Sequence, residues 1–291
     1  MRSLSEKTRN QIINMQVNEI TEYYVYQHIA RRIKDQANKK IIIKIANQEK
    51  GHFELWKAYT GVSSKPKKGR IFFYSLLSKI FGYTFALKLM EKGEAHAQEV
   101  YDQIATEVPE AKQIAEDEDA HEQELLGMLD EERLKYVGSI VLGLNDALVE
   151  LTGALAGLTF ALSDTRIISL SGLITGIAAS LSMAASEYLS SKAEGRKDAL
   201  KSAIYTGTTY ILTVTILIMP YLLLGTQKYL ALGIMLASVV FIIFFFNYYI
   251  SVAKDLPFRQ RFLQMISISL GVAAISFGIG LVLKQFLGVD I

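Results

Sequence analysis

The chain has 291 residues, a formal net charge of +2 and no cysteine. Balanced charge gives no reason to expect a nucleic acid partner. The absence of thiols excludes disulfides, zinc ribbons, rubredoxin-type iron sites and thiolate catalysis, so a metal must be held by Glu, Asp, His, Met or backbone oxygen.

Hydrophobicity is uneven along the chain. All four histidines (His28, His52, His96, His121), Trp56 and most acidic residues precede residue 135, and long apolar stretches follow. This predicts a first domain at 1–132 and a membrane domain at 133–291. The N-terminus is charged and polar and lacks the apolar core of a signal peptide, so the first domain is expected to stay on the side where it is made.

From Ser5 to about Asp35, Ile12, Ile13, Val17, Ile20, Tyr23, Tyr24, Ile29 and Ile33 recur at helical spacing, which predicts a long amphipathic helix. Lys39 to Tyr59 reads as a second, and Thr60 to Gly69 as a turn-rich linker. Ile71 to Met90 is an apolar run preceded by Lys65, Lys67, Lys68 and Arg70. Lys79 and Lys88 argue against a span there, and a bundle helix touching the membrane surface through its basic leader is the expectation. A polar stretch, Glu91 to Thr106, and an acidic helix, Glu110 to Leu134, complete a helical bundle with its crossover between the second and third helices.

Glu49-Lys-Gly-His52 and Glu118-Asp-Ala-His121 are both Glu-x-x-His, which sets each pair one turn apart on one helix face. Two such pairs, with one Glu from each of two other helices, enclose two metal ions in di-iron carboxylate bundles. The matching single carboxylates are Glu19 and Glu94, with Glu22 and Glu91 as alternates. Glu19 and Glu94 each precede a tyrosine by seven residues (Tyr26, Tyr101). This order resembles rubrerythrin and ferritin-like proteins. The resemblance implies a di-iron site with Glu19, Glu49, His52, Glu94, Glu118 and His121 as ligands, with manganese as the alternative metal. His28 and His96 read as polar-face residues.

Five later segments satisfy the ~20 apolar residues that a bilayer core requires. They are Val137 to Leu162, Ile167 to Ser190, Ser202 to Leu224, Tyr229 to Ile250 and Phe262 to Leu287. Arg133 and Lys135 precede the first, Lys192, Arg196, Lys197 and Lys201 join the second to the third, and Lys254, Arg259 and Arg261 join the fourth to the fifth. The opposite loops hold Arg166 and Lys228. The distribution predicts a cytoplasmic N-terminal domain and a C-terminus on the opposite side.

Asn145, Asp146 and Glu150 lie among apolar residues of the first span, where an isolated carboxylate costs at least ~2.5 kcal/mol and commonly faces an ion or proton pathway. Met183 and Glu187 share a face near the end of the second. A mixed oxygen and sulfur site suits transition metals better than magnesium or calcium. Gly143-Leu-Asn-Asp-Ala-Leu-Val-Glu-Leu-Thr-Gly and Ser182-Met-Ala-Ala-Ser-Glu-Tyr look like the vacuolar iron transporter family over about residues 135–291. That resemblance implies exchange of divalent iron or manganese for protons in a homodimer, with Asp146, Met183 and Glu187 lining the path; Glu150, on the same helix face as Asp146, is a further path candidate from its own position. The chain lacks the long helical metal-binding insert that plant and parasite members carry between spans two and three.

The fusion of the two halves resembles the membrane-bound ferritin group. The expected fold is all-α: a cytoplasmic ferritin-like four-helix bundle, then a five-helix transmembrane domain. The expected function is metal export or compartment loading, with ferroxidase or peroxide-consuming activity as a further property of the bundle. The alternative is a membrane-anchored di-iron oxidase whose spans serve as an anchor.

Overall fold

The computed structural model describes residues 4–92, 97–127 and 135–287, and among these all regular structure is helical. The chain divides into two compact units: Met1–Glu131 with Val252–Lys254, and Glu132–Ser251 with Asp255–Ile291.

In the first unit, α1 spans Glu6–Ala30 and α2 Gln36–Thr60. Each starts where a side-chain oxygen meets a free backbone N–H of the first turn. Ser5 Oγ accepts from Thr8 N at 3.2 Å, and Asp35 Oδ1 accepts from Asn38 N at 2.8 Å. The two helices pack along one another, and α1 also packs against α3 (Lys68–Phe81). Then come α4 (Tyr83–Lys92), α5 (Ala97–Ala105) and α6 (Ala111–Gly127). α5 and α6 pack together, α1 touches α5, and α6 touches both α2 and α4.

The apolar run from Ile71 to Met90, expected as one helix, is two. Gly82 takes φ +98° and ψ 157°, backbone space that a side chain with a Cβ rarely adopts, and the chain turns there. Beyond it Phe85, Leu87 and Met90 are buried in the unit's own core, so this run does not cross a membrane. The acidic helix expected over 110–134 is observed as α6, and 128–134 lie outside the described residues.

Two apolar clusters form in the first unit. One gathers Val25, Tyr26, Ile29, Ile42, Ile45 and Leu125 with residues of α3 and α4, and the other gathers Ile12, Met15, Trp56, Tyr101, Ile104 and Ile114.

The second unit contains five helices long and apolar enough to cross a membrane: α7 (Val137–Ala161), α8 (Thr165–Ala193), α9 (Ala199–Leu223), α10 (Lys228–Lys254) and α11 (Phe258–Leu287, apolar over Phe258–Ile279). Each expected span is present with its ends moved by a few residues. The start of α8 moves upstream because Asp164 Oδ1 accepts from Arg166 N at 2.7 Å and caps it. α7 packs against α8, α9 and α11, and α8 packs on α9. The core is Leu148, Leu151, Leu155, Tyr210, Val214 and Leu217 with their neighbours. At Gly143 an added Cβ would lie 2.3 Å from the Thr206 carbonyl oxygen, so close approach of α7 to α9 depends on a missing side chain.

Candidate metal centre

Three helices of the first unit carry the same stripe. On α1 it reads Ile12, Met15, Glu19, Glu22, Tyr26, Ile29. On α2 it reads Ile42, Ile45, Glu49, His52, Trp56, and on α6 Ala111, Ile114, Glu118, His121, Leu125. The alternating steps of three and four residues hold each stripe on one helix face. In each, the central two places are acidic or imidazole while the flanks belong to the two apolar clusters. Packing the helices by their apolar ends therefore draws the polar centres together between two dry layers.

The result is a nest in which ligand atoms of Glu19, Glu49, His52 and Glu118 all lie within 4.8 Å of one another. Among the described residues this is the sole such group of three or more acids and histidines. His52 Nδ1 is 3.4 Å from Glu118 Oε1, 3.6 Å from Glu49 Oε2 and 3.7 Å from Glu19 Oε2. His121 Nδ1 is 3.0 Å from Glu49 Oε1 and 3.5 Å from Glu118 Oε2. The two imidazoles stack with centroids 6.0 Å apart. Glu49 and His121 are each 1% exposed.

Neighbouring side chains fix the nest. Trp56 Nε1 and Tyr101 Oη both donate to Glu19 Oε1, at 3.2 and 3.3 Å, which leaves Oε2 turned toward His52. Asp117 Oδ2 lies 3.1 Å from His52 Nε2 and in turn Oδ1 accepts from Gln113 at 3.2 Å, so Nδ1 of His52 faces inward. Tyr26 donates to Glu91. The two tyrosines thus cross over: Tyr101 serves Glu19, and Tyr26 serves Glu91.

Burial pushes the Glu19 carboxyl well above its usual range, with Glu49 and Glu118 adding to the rise. Burial also works against protonated His121, but the carboxylates of Glu118 and Glu49 outweigh it and raise the imidazole to about 10. His52 is raised against the same opposing burial by Glu118, Glu19 and Glu49. Glu118 is held low by His121 and His52 despite its own burial. Burial and the surrounding acids lift the Tyr26 and Tyr101 phenols, which stay neutral and donate. Protons on imidazoles and on Glu19 thus stand where a cation's charge would otherwise balance the nest.

The donor set fits a divalent transition metal on a second ground. Both carboxylate oxygens of Glu49, both ring nitrogens of His121 and Nδ1 of His52 are buried without a hydrogen-bond partner. Their close approaches are ion-pair distances without hydrogen-bond alignment. An unsatisfied buried polar atom costs about 1–3 kcal/mol, and here several point into one space. Carboxylate and imidazole together suit iron, manganese or zinc.

Of the expected ligands, the structure therefore brings together Glu19, Glu49, His52, Glu118 and His121. Glu94 and His96 lie outside the described residues. Glu22 is buried one turn from Glu19. His28 is exposed, its Nδ1 2.7 Å from the Tyr24 carbonyl oxygen. Asp117 and Trp56 were not singled out from sequence as parts of the site, and Tyr101 was noted only for its spacing from Glu94. Their signal is position: Asp117 adjoins Glu118, and Trp56 and Tyr101 continue the three-four stripes.

The membrane candidates are arranged differently. Asp146 is half-buried on α7, one turn from exposed Glu150, whose Oε2 accepts from Tyr210 at 2.8 Å. Met183 packs partly buried against the apolar core of the unit. Glu187 Oε1 accepts from Ser139 at 2.9 Å and Ser191 at 3.2 Å, which ties α8 to the start of α7. Arg196 continues this network to Ser191, Asp198 and Ser202. Asp146, Glu150 and Glu187 do not close into one ligand group.

A search of curated proteins finds no match to this chain. A model of the VIT family matches residues 137–198, which cover α7, α8 and the connection that follows, so the first two spans and all four membrane candidates fall within the likeness to that family.

Proposed function

We propose that the chain moves divalent iron or manganese across a membrane in exchange for protons, exporting it from the cytoplasm or loading a compartment. The observation that carries this reading is the VIT-family match over 137–198, which contains Asp146, Glu150, Met183 and Glu187. Asp146 supplies the negative charge that offsets dehydration of a divalent cation, and Met183 supplies a thioether that favours transition metals. Asp146 and Glu150 are incompletely covered by their own unit. A charge in that position needs water or protein beside it, which supports a path completed by a second copy in a homodimer.

The first unit, in this reading, is a ferritin-like bundle on the cytoplasmic side that captures, senses or oxidises the metal. Glu19, Glu49, His52, Glu118 and His121 hold it, with Glu94 as the remaining carboxylate that the sequence motif supplies. Iron bound there would supply redox chemistry with oxygen or peroxide. Tyr101 and Trp56 orient Glu19 for it, and the buried nest excludes water from the metal.

Metal uptake into proteoliposomes under an imposed pH gradient tests the transport reading. Uptake of Fe(II) or Mn(II) that collapses with the gradient supports it. A tethered oxidase is the second reading, favoured by the aromatic groups bonded to the buried carboxylates, and it predicts oxygen consumption with Fe(II) but no uptake.

A further inference from the structure

In the described part of the first unit, exposed large apolar side chains concentrate on α3. Phe72 is 70% exposed, Ile80 52%, Phe73 50% and Leu76 41%, and outside this helix only Tyr24 and Val62 are comparable. At 3.6 residues per turn, Phe72, Leu76, Ile80 and Phe73 fall within an arc of about 100°. Lys68 and Lys79 border that arc within about 40° on one side. The opposite face of α3 is committed inward, with Tyr74 buried and Ile71 and Leu77 against the core.

The helix is held in this attitude. Lys67 N donates to Thr21 Oγ1 at 2.9 Å, Arg70 Nη1 donates to Asn18 Oδ1 at 3.3 Å, and Arg32 Nη1 donates to the Ser75 carbonyl oxygen at 3.0 Å. The apolar arc is therefore a fixed surface of the unit.

Its charge setting points to what covers it. From Gly61 to Met90 there is no Asp or Glu, and Lys65, Lys67, Lys68 and Lys79 are exposed around the arc. A two-fold interface with a second copy would set these lysines against their own images. An anionic lipid surface would match both features, with apolar side chains in the acyl boundary and lysines among the headgroups. At 14 residues α3 is about 21 Å long, too short for a hydrocarbon core of about 30 Å. The turn at Gly82 and the burial of Phe85, Leu87 and Met90 return the chain to the core. These dimensions exclude a span and leave a helix suited to lie along a surface.

We propose that α3 is an interfacial helix by which the first unit docks on the anionic leaflet of the bilayer that holds this chain's own spans, with Phe72, Phe73, Leu76 and Ile80 immersed and Lys65, Lys67, Lys68 and Lys79 at the headgroups. A chain without cysteine permits a direct test in the full-length protein. Bimane is attached to Phe72→Cys, Leu76→Cys or Ile80→Cys, with exposed Lys112→Cys as the control, and each protein is reconstituted in vesicles containing phosphatidylglycerol and lipids with a nitroxide at the upper acyl chain.

The expected result is nitroxide quenching at 72, 76 and 80 and not at 112. Replacing the four lysines by glutamine, or using phosphatidylcholine alone, should reduce it by roughly twofold or more. Quenching by aqueous iodide instead would make the face solvent-exposed, and protection from both quenchers would make it a protein interface; either overturns the proposal. Quenching unaffected by lysine replacement and by lipid charge overturns the anionic assignment.

Discussion

Glu49 of the first unit is 1% exposed, has no hydrogen-bond partner and faces two imidazoles, whereas Glu150 of the second stands exposed on its unit and accepts a hydrogen bond from the Tyr210 hydroxyl. Both are glutamates on long helices. In the first unit the acids occupy the middle of apolar stripes and are enclosed when the stripes pack. In the second, the faces that pack are lined by apolar and hydroxyl side chains such as Leu148, Leu151, Thr152 and Thr159, and Asp146 and Glu150 fall beside them. A carboxylate enclosed with imidazoles is suited to hold a metal, and one left at the edge of a packed unit is suited to pass an ion. The contrast teaches that a carboxylate's place on the helix wheel sets its environment, and in the proposed function that difference separates retention from passage.

The largest expected effect separates the two regions. Asp146→Asn should reduce metal flux by roughly tenfold or more, since it removes the intramembrane charge at constant size, while metal content of the first unit is unchanged. Uptake and bound metal measured on one preparation check this. Normal flux in this variant would make the carboxylate structural and favour the tethered oxidase.

Glu49→Ala or His121→Ala should do the converse. Each should weaken metal retention by at least about 100-fold, since even groups that only orient a ligand are worth 10–100-fold. Metal analysis of the purified full chain reads the effect. Stoichiometric metal in the double variant would contradict the assignment.

Two glycines sharpen the comparison at smaller scale. Gly143→Ala should destabilise the membrane unit by about 1–3 kcal/mol, because the new Cβ meets the Thr206 carbonyl oxygen at 2.3 Å. Thermal unfolding in detergent should show this, with metal binding by the first unit retained. Gly51→Ala should stabilise the first unit by about 1 kcal/mol, since Gly51 is exposed within α2 and an added Cβ meets nothing within 4 Å. Denaturant unfolding checks it, and metal binding should not change.

The five spans were legible because each is a long apolar run with few charges, and their ends moved by a few residues, at one start because Asp164 caps the helix. Glu-x-x-His spacing located two Glu–His pairs of the nest, since i and i+3 share a helix face whatever the tertiary context. The break at Gly82 was not legible: a glycine inside an apolar run reads as continuous helix until packing asks for a turn. Asp117 and Trp56, and the bond from Tyr101 to Glu19, escaped notice for a related reason. Acids are common on surfaces and aromatics common in cores, and only the packed helices show these three touching His52 and Glu19. Where Asp146 sits relative to Glu187 depends on how α7 meets α8, which hydrophobicity alone does not determine.

The central claim, that the second unit passes divalent transition metal while the first retains it, is tested most directly by uptake of Fe(II), Mn(II) and Mg(II) into proteoliposomes at a fixed pH gradient. The account predicts gradient-dependent uptake of iron or manganese well above magnesium, lost in Asp146→Asn and preserved in Glu49→Ala. Absence of uptake by the unaltered chain, or uptake unchanged in Asp146→Asn, would contradict it.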